Sequence, residues 1–231
     1  MDYAPIAARA PADVRAGFIR RTYGHLAGAI LAFVALETVL LRVLNAEDVL
    51  RVMFGSQASW LVVLVAFIGC AFLARALANS GAGPLVQYLG LALYVAIQAV
   101  IFMPLLFIAE HFYPTAIPTA GILTLAIFGG LTLTVIVTQR DFSFLGPIVS
   151  IGFFLALGLI VASLLFGFSL GLVFCFAMVA LISACILYDT SQVLFHYRVD
   201  RHVAAALELF ASIAILFWYV LQIVMATQSR D

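Results

Sequence analysis

The sequence predicts an all-α, polytopic membrane protein of seven transmembrane helices, and three observations carry that reading. Hydrophobic residues make up 66% of the 231 and charged residues 10%, more apolar surface than a soluble chain of this length can remove from water. Seven stretches approach the ~20 apolar residues needed to cross ~30 Å of hydrocarbon. The breaks between them leave no room for a soluble domain.

Residues 1–16 alternate Ala, Pro, Arg and Asp without apolar periodicity and are expected to form a flexible tail. Residues 17–231 then form a single transmembrane domain. Its spans are placed at Thr22 to Val43, Ala58 to Leu77, Leu85 to Ile108, Ile117 to Gln139, Phe144 to Phe166, Phe168 to Tyr188 and Val203 to Ala226. The breaks carry turn chemistry: Asn79-Ser80-Gly81-Ala82-Gly83-Pro84, Tyr113-Pro114, Arg140-Asp141, and Gly167 between two phenylalanines. The first span follows an arginine-bearing segment, as a cleavable signal peptide does, but its length and the presence of His25 and Glu37 favour a retained helix. No internal repeat is evident. Small residues recur in the last two spans, at Gly171, Ala177, Ala180 and Ala184 and again at Ala204, Ala205, Ala211 and Ala214. Such residues let helix backbones approach closely in membranes, so these two spans are expected to face protein rather than lipid.

Excess positive charge stays on the cytoplasmic side. With the N-terminus inside, Arg9, Arg15, Arg20, Arg21, Arg75, Arg140, Arg198 and Arg201 are cytoplasmic, and Arg42, Arg51 and Arg230 are not. Eight against three favours that orientation in a cytoplasmic (inner) membrane. The short connection at Gly167 leaves a re-entrant hairpin open, which would return the C-terminus to the cytoplasm.

Several functions are excluded. All 11 basic residues are arginine, so no lysine is present to form a retinal Schiff base. Net charge is zero with no basic tract, so nucleic acid has no electrostatic footing. No HExxH, GxSxG, phosphate-binding glycine loop or Cys-His-Asp constellation is present, and no cofactor or enzymatic activity is expected. Cys70, Cys175 and Cys185 lie in apolar stretches without metal-ligand spacing and read as packing residues.

The informative residues are the ionisable ones within spans. A carboxylate in hydrocarbon costs ~2.5–3.5 kcal/mol on insertion scales, so it has a partner, a wet cavity or a task. Asp189 closes the sixth span in Leu187-Tyr188-Asp189-Thr190. It reads either as a gate or ion contact or as a helix-end cap held by Arg75 or by backbone donors. Glu37 lies mid-span and reads as part of an ion path or as a structural partner for another helix, through His25 or Gln98. His196 and His202 flank the loop beside Asp189, as pH sensors or as solvated loop residues. Asp141, with Arg140, reads as an anchor of the cytoplasmic loop, as a cap for the fifth helix rather than a catalytic acid.

Three landmarks carry a likeness over nearly the whole chain: Phe18-Ile19-Arg20-Arg21-Thr22-Tyr23, Gln139-Arg140-Asp141-Phe142-Ser143-Phe144-Leu145-Gly146, and Leu187-Tyr188-Asp189-Thr190. They resemble the Bax inhibitor-1 family, also called the transmembrane Bax inhibitor motif family, as a bacterial member. The resemblance implies seven helices with the C-terminal one central. It also implies one of two activities: a pH-sensitive calcium leak, or a non-conducting modulator of a membrane-embedded ATP-dependent protease. In leak-forming members a pair of aspartates on the last two helices closes the pore. Asp189 matches the first, and Ser212 stands at the second. Glu208 lies one turn before Ser212, on the same face and ~6 Å away along the axis, and is the candidate replacement acid. Alternatively it reaches water at the interface through its long stem. Two nearby carboxylates share a proton and so respond to pH, and when ionised they offer oxygen ligands to calcium, which makes Asp189 and Glu208 a candidate weak calcium site. Arg75 is the candidate partner of Asp189. The expected partners are the lipid bilayer, the calcium ion and, on the second reading, the protease.

Overall fold

A computed structural model describes residues 5–44, 69–80 and 83–229. Among the described residues there are seven helices and no strand: α1 (Ala12–Val43), α2 (Gly69–Ala78), α3 (Pro84–Phe112), α4 (Ala116–Thr138), α5 (Leu145–Phe166), α6 (Gly171–Phe195) and α7 (His202–Gln228). Six of them, all but α2, are long and apolar enough to cross a bilayer. The first part of the expected second span, residues 58–68, lies outside the described residues, as do Arg51 and Arg230.

The chain divides into two compact units. One holds Ala16–Phe112 and Asp200–Phe210; the other holds Met1–Arg15, Tyr113–Val199 and Ala211–Asp231. In α3 and α7, 61% of the most apolar stretch is buried inside the protein, against 11% in α5. That burial fits the central place expected of the C-terminal helix, whose Val203 to Leu207 and Leu209 to Ala211 are all buried.

The breaks follow local chemistry. Gly167 ends α5 in the left-handed region at φ 71°, a conformation glycine adopts without steric cost. Gln139 ends α4 the same way at φ 49°, with its N–H on the Val135 carbonyl. At Gly90 of α3, an added Cβ would lie 2.5 Å from the Ala78 nitrogen and 2.6 Å from the Ala74 carbonyl oxygen. Only glycine lets α2 and α3 approach this closely. Arg201 secures the same hairpin by donating to the carbonyls of Asn79 and Ser80.

Two expectations are corrected. The segment expected as a flexible tail is folded from residue 5. Ala7 is fully buried, its N–H bonds the Tyr197 carbonyl at 2.8 Å, Val199 N–H bonds the Pro5 carbonyl at 3.1 Å, and α1 starts at Ala12. The pairing partner is a distant loop, which apolar periodicity cannot register. The sixth helix also runs seven residues past Tyr188, to Phe195, because Val193 and Leu194 add a further buried turn. Asp189 is therefore interior to α6, and its reading as a helix-end cap is overturned.

Candidate gate and its supporting clasp

Asp189 is half-buried on the α6 face that meets α7. The Ser212 hydroxyl donates to its Oδ2 at 2.5 Å, and the Cys185 thiol, one turn earlier on α6, donates to the same oxygen at 3.4 Å. Cys185 Sγ also lies 3.6 Å from Ser212 Oγ, so acid, hydroxyl and thiol form one polar station. Ser212 itself is 5% exposed. Both of these donors are neutral.

A second station lies on the same pair of helices. Cys175 Sγ donates to Gln222 Oε1 at 3.7 Å, and Phe174 packs edge-on against Tyr219. Cys175, Tyr219 and Gln222, with Trp218 and Ser229, line a cavity of about 610 Å³. The contacts Cys175 to Gln222 and Cys185 to Ser212 fix an antiparallel register. The stations are ten residues apart on each helix, ~15 Å along the axis. Between them Met178, Ile182 and Leu216 are buried, forming an apolar collar.

Below Asp189 on α6, a set of polar side chains binds the loop between α4 and α5. Asp141 Oδ1 accepts from the Ser143 hydroxyl at 2.5 Å, from Ser143 N–H at 2.9 Å and from Ser191 Oγ at 3.0 Å. Its Oδ2 takes the His196 ring nitrogen at 2.8 Å. Ser191, fully buried, in turn accepts Phe142 N–H at 2.8 Å, and Gln192 donates to the Ser143 hydroxyl at 3.0 Å. The Ser143 hydroxyl is the largest influence holding the Asp141 carboxyl well below the usual carboxylate range. Ser143 N–H, His196 and Ser191 act in the same direction, against partial desolvation. Asp141 anchors this loop, as expected, but does so through an Asx turn ahead of α5 and a clasp on the end of α6 rather than by capping α5.

In the unit that holds Glu208, Arg75 Nη2 lies 3.3 Å from Glu208 Oε2, with side chains 42% and 27% exposed, and the guanidinium sits over the Tyr94 ring. Arg75, expected to pair with Asp189, thus has Glu208 as an ion-pair partner. Glu37 is 4% exposed and neither carboxyl oxygen has a hydrogen-bond partner among the described residues. Its expected partners are engaged elsewhere: His25 with the Arg21 carbonyl and Tyr88, Gln98 with the Tyr94 hydroxyl. His202 is the first residue of α7, its ring 5.0 Å from that of His25, and its Nδ1 is buried. Neither candidate loop histidine is simply solvated.

Sequence reasoning missed Ser143, Ser191 and Gln192, although all three stand in or beside the quoted motifs. Cys185 was taken as packing only, and its position four residues before Asp189 was the available signal. Among the described residues no three His, Cys, Asp or Glu side chains gather closely enough to hold a metal.

An all-helical, multi-pass membrane protein with an acid on its penultimate helix bonded to its last helix is the class that fold and site define. The family model described as "Inhibitor of apoptosis-promoting Bax1" matches residues 15–230, and the chain belongs to that Bax inhibitor-1 family. It is also 32% identical over 213 residues to the uncharacterized protein PA2604 of Pseudomonas aeruginosa strain PAO1, covering 90% of this chain and 88% of that one.

Proposed function

We propose that the protein is a pH-sensitive cation leak of the cytoplasmic membrane, with calcium as its cargo, the N-terminus on the cytoplasmic side and the gate at Asp189. The bond between Ser212 and Asp189 carries this reading, because it ties α6 to α7 at an acid on the seam between them. The polar stations at either end of the apolar collar support it. They give an ion two places to exchange water for protein oxygens, separated by a short barrier.

Ionised Asp189 supplies the negative charge that draws a cation to the seam. Protonated, it supplies none, so flux rises with pH as Asp189 ionises. Ser212 cannot ionise and so cannot share a proton as a second aspartate does. The gate therefore titrates as a single carboxyl, without the two-step behaviour of a coupled pair. Glu208, held by Arg75, acts as a packing acid in its own unit rather than as that second aspartate.

The test is calcium entry into indicator-loaded proteoliposomes across about pH 4 to 8, a window that includes the ordinary carboxyl range, referenced to protein-free vesicles. Entry above the reference that rises with pH supports the leak. Entry indistinguishable from protein-free vesicles at every pH overturns it.

A further inference from the structure

The unit holding α1 and α3 carries an open groove of about 680 Å³ that the gate does not use. Its two ends differ. At one end stand Arg21, His25 and Tyr88. His25 Nδ1–H donates to the Arg21 carbonyl at 2.6 Å, the Tyr88 hydroxyl donates to His25 Nε2 at 3.1 Å, and the two rings stack at 5.3 Å. These bonds fix the ring pair but leave the Arg21 guanidinium exposed. It has no hydrogen-bonding or acidic partner among the described residues.

Beyond this polar end the groove is apolar. Gly24, Gly28 and Ala32 form one wall and Ala92 and Ala96 the other, and it closes at Leu36. Among the described residues, a Cβ added at Gly24 or Gly28 meets nothing within 4 Å, so none of them fills the slot there. From Arg21 to Leu36 it runs fifteen residues, ~22 Å along the axis. Half the hydrocarbon thickness is ~15 Å, so the slot is long enough for an acyl chain reaching from headgroup to midplane.

We infer that this groove is a binding site for an anionic phospholipid. The phosphodiester sits on Arg21 beside the His25–Tyr88 pair, and one acyl chain lies along Gly24, Gly28 and Ala32. The uncompensated cation selects a negative headgroup. The absence of polar side chains along the rest of the slot selects hydrocarbon over a peptide, whose backbone would need partners. A free phosphate ester would satisfy Arg21 but leave the slot without an occupant. The site stands independently of the leak reading.

The test is lipid retention by the full chain, purified in mild detergent and followed by native mass spectrometry. The probes are phosphatidylglycerol and phosphatidylcholine. Wild type is expected to prefer phosphatidylglycerol about fivefold, the factor that ~1 kcal/mol per arginine near an anionic surface corresponds to. Arg21→Gln should remove that preference, while Arg20→Gln, outside the groove, should keep it. Gly28→Leu, which fills the slot without a backbone clash, should lower retention of both lipids by a similar factor. Glycerol 1-phosphate should not displace phosphatidylglycerol. Equal retention of both lipids by wild type overturns the site, as does unchanged preference in Arg21→Gln. Unchanged retention in Gly28→Leu overturns the slot. Equal loss in Arg20→Gln reduces the site to a diffuse basic surface, and displacement by glycerol 1-phosphate reduces it to an anion site without the acyl chain.

Discussion

Asp141 and Asp189 lie within one unit of the molecule and touch neighbouring parts of α6, yet their surroundings differ in kind. Asp141 is a loop residue whose two oxygens take a hydroxyl, an N–H, a second hydroxyl and an imidazole. Asp189 lies within a membrane-crossing helix, where a hydroxyl and a thiol, both neutral, share one of its oxygens. An acid enclosed by that many donors is an anchor, because breaking it loses several bonds at once. An acid held by neutral donors across a helix seam can change partner with protonation. The difference marks Asp141 as structural and supports the gating role proposed for Asp189.

The largest effect is expected where that contrast is removed on the gating side. Ser212→Asp places a second carboxylate within bonding distance of Asp189, and the two should then titrate as a coupled pair. The pH of half-maximal calcium flux should move up by about one unit or more, with two resolved steps. A flux profile superimposable on wild type would show that Ser212 does not face the titrating group in the conducting state.

Next comes the clasp. Ser191→Ala leaves Phe142 N–H and one lone pair of Asp141 without their partner next to a fully buried position. Thermal unfolding in detergent should show a loss of about 1–3 kcal/mol, the usual cost of an unsatisfied buried group. The pH profile of flux should keep its shape, and a shifted midpoint would mean that clasp and gate are coupled.

The imidazole arm of the clasp contributes less. Asp141 is held below its ordinary range, so its contribution to stability is complete above the usual carboxylate pKa and is lost as pH falls below it. Above the usual carboxylate range Asp141 therefore stays ionised and keeps its donors. His196→Gln, which removes the imidazole from Asp141 Oδ2, should lower stability slightly in thermal unfolding in detergent. The expected difference is about 0–1 kcal/mol, since both side chains are exposed. The smallest effect is expected at Glu208→Gln, where an exposed arginine loses an ion pair worth about 0.2–1 kcal/mol and the pH profile of flux does not move. A changed profile would return Glu208 to the gate.

The fold was legible because hydrophobic length registers directly in sequence. The breaks at Tyr113-Pro114, Gly167 and Arg140-Asp141 fall where the helices end. What was not legible depends on partners far along the chain. The first turn of the chain folds on Tyr197 and Val199, and the last turns of α6 fold on the loop at Phe142. Polar residues such as Thr190 and Ser191 read as a span ending when only their own neighbours are seen. At the site, Asp189 and Ser212 stood out from their position in the helices and the family pattern. The ion pair of Arg75 with Glu208 was not legible, because similar depth along two helices does not say which acids a guanidinium reaches.

The most direct test of the gate is calcium flux in proteoliposomes across about pH 4 to 8, wild type against Asp189→Asn. The asparagine keeps an oxygen for Ser212 but cannot ionise. The account predicts a flux that rises with pH in wild type and is flat in the variant; a variant that follows wild type at every pH would contradict it.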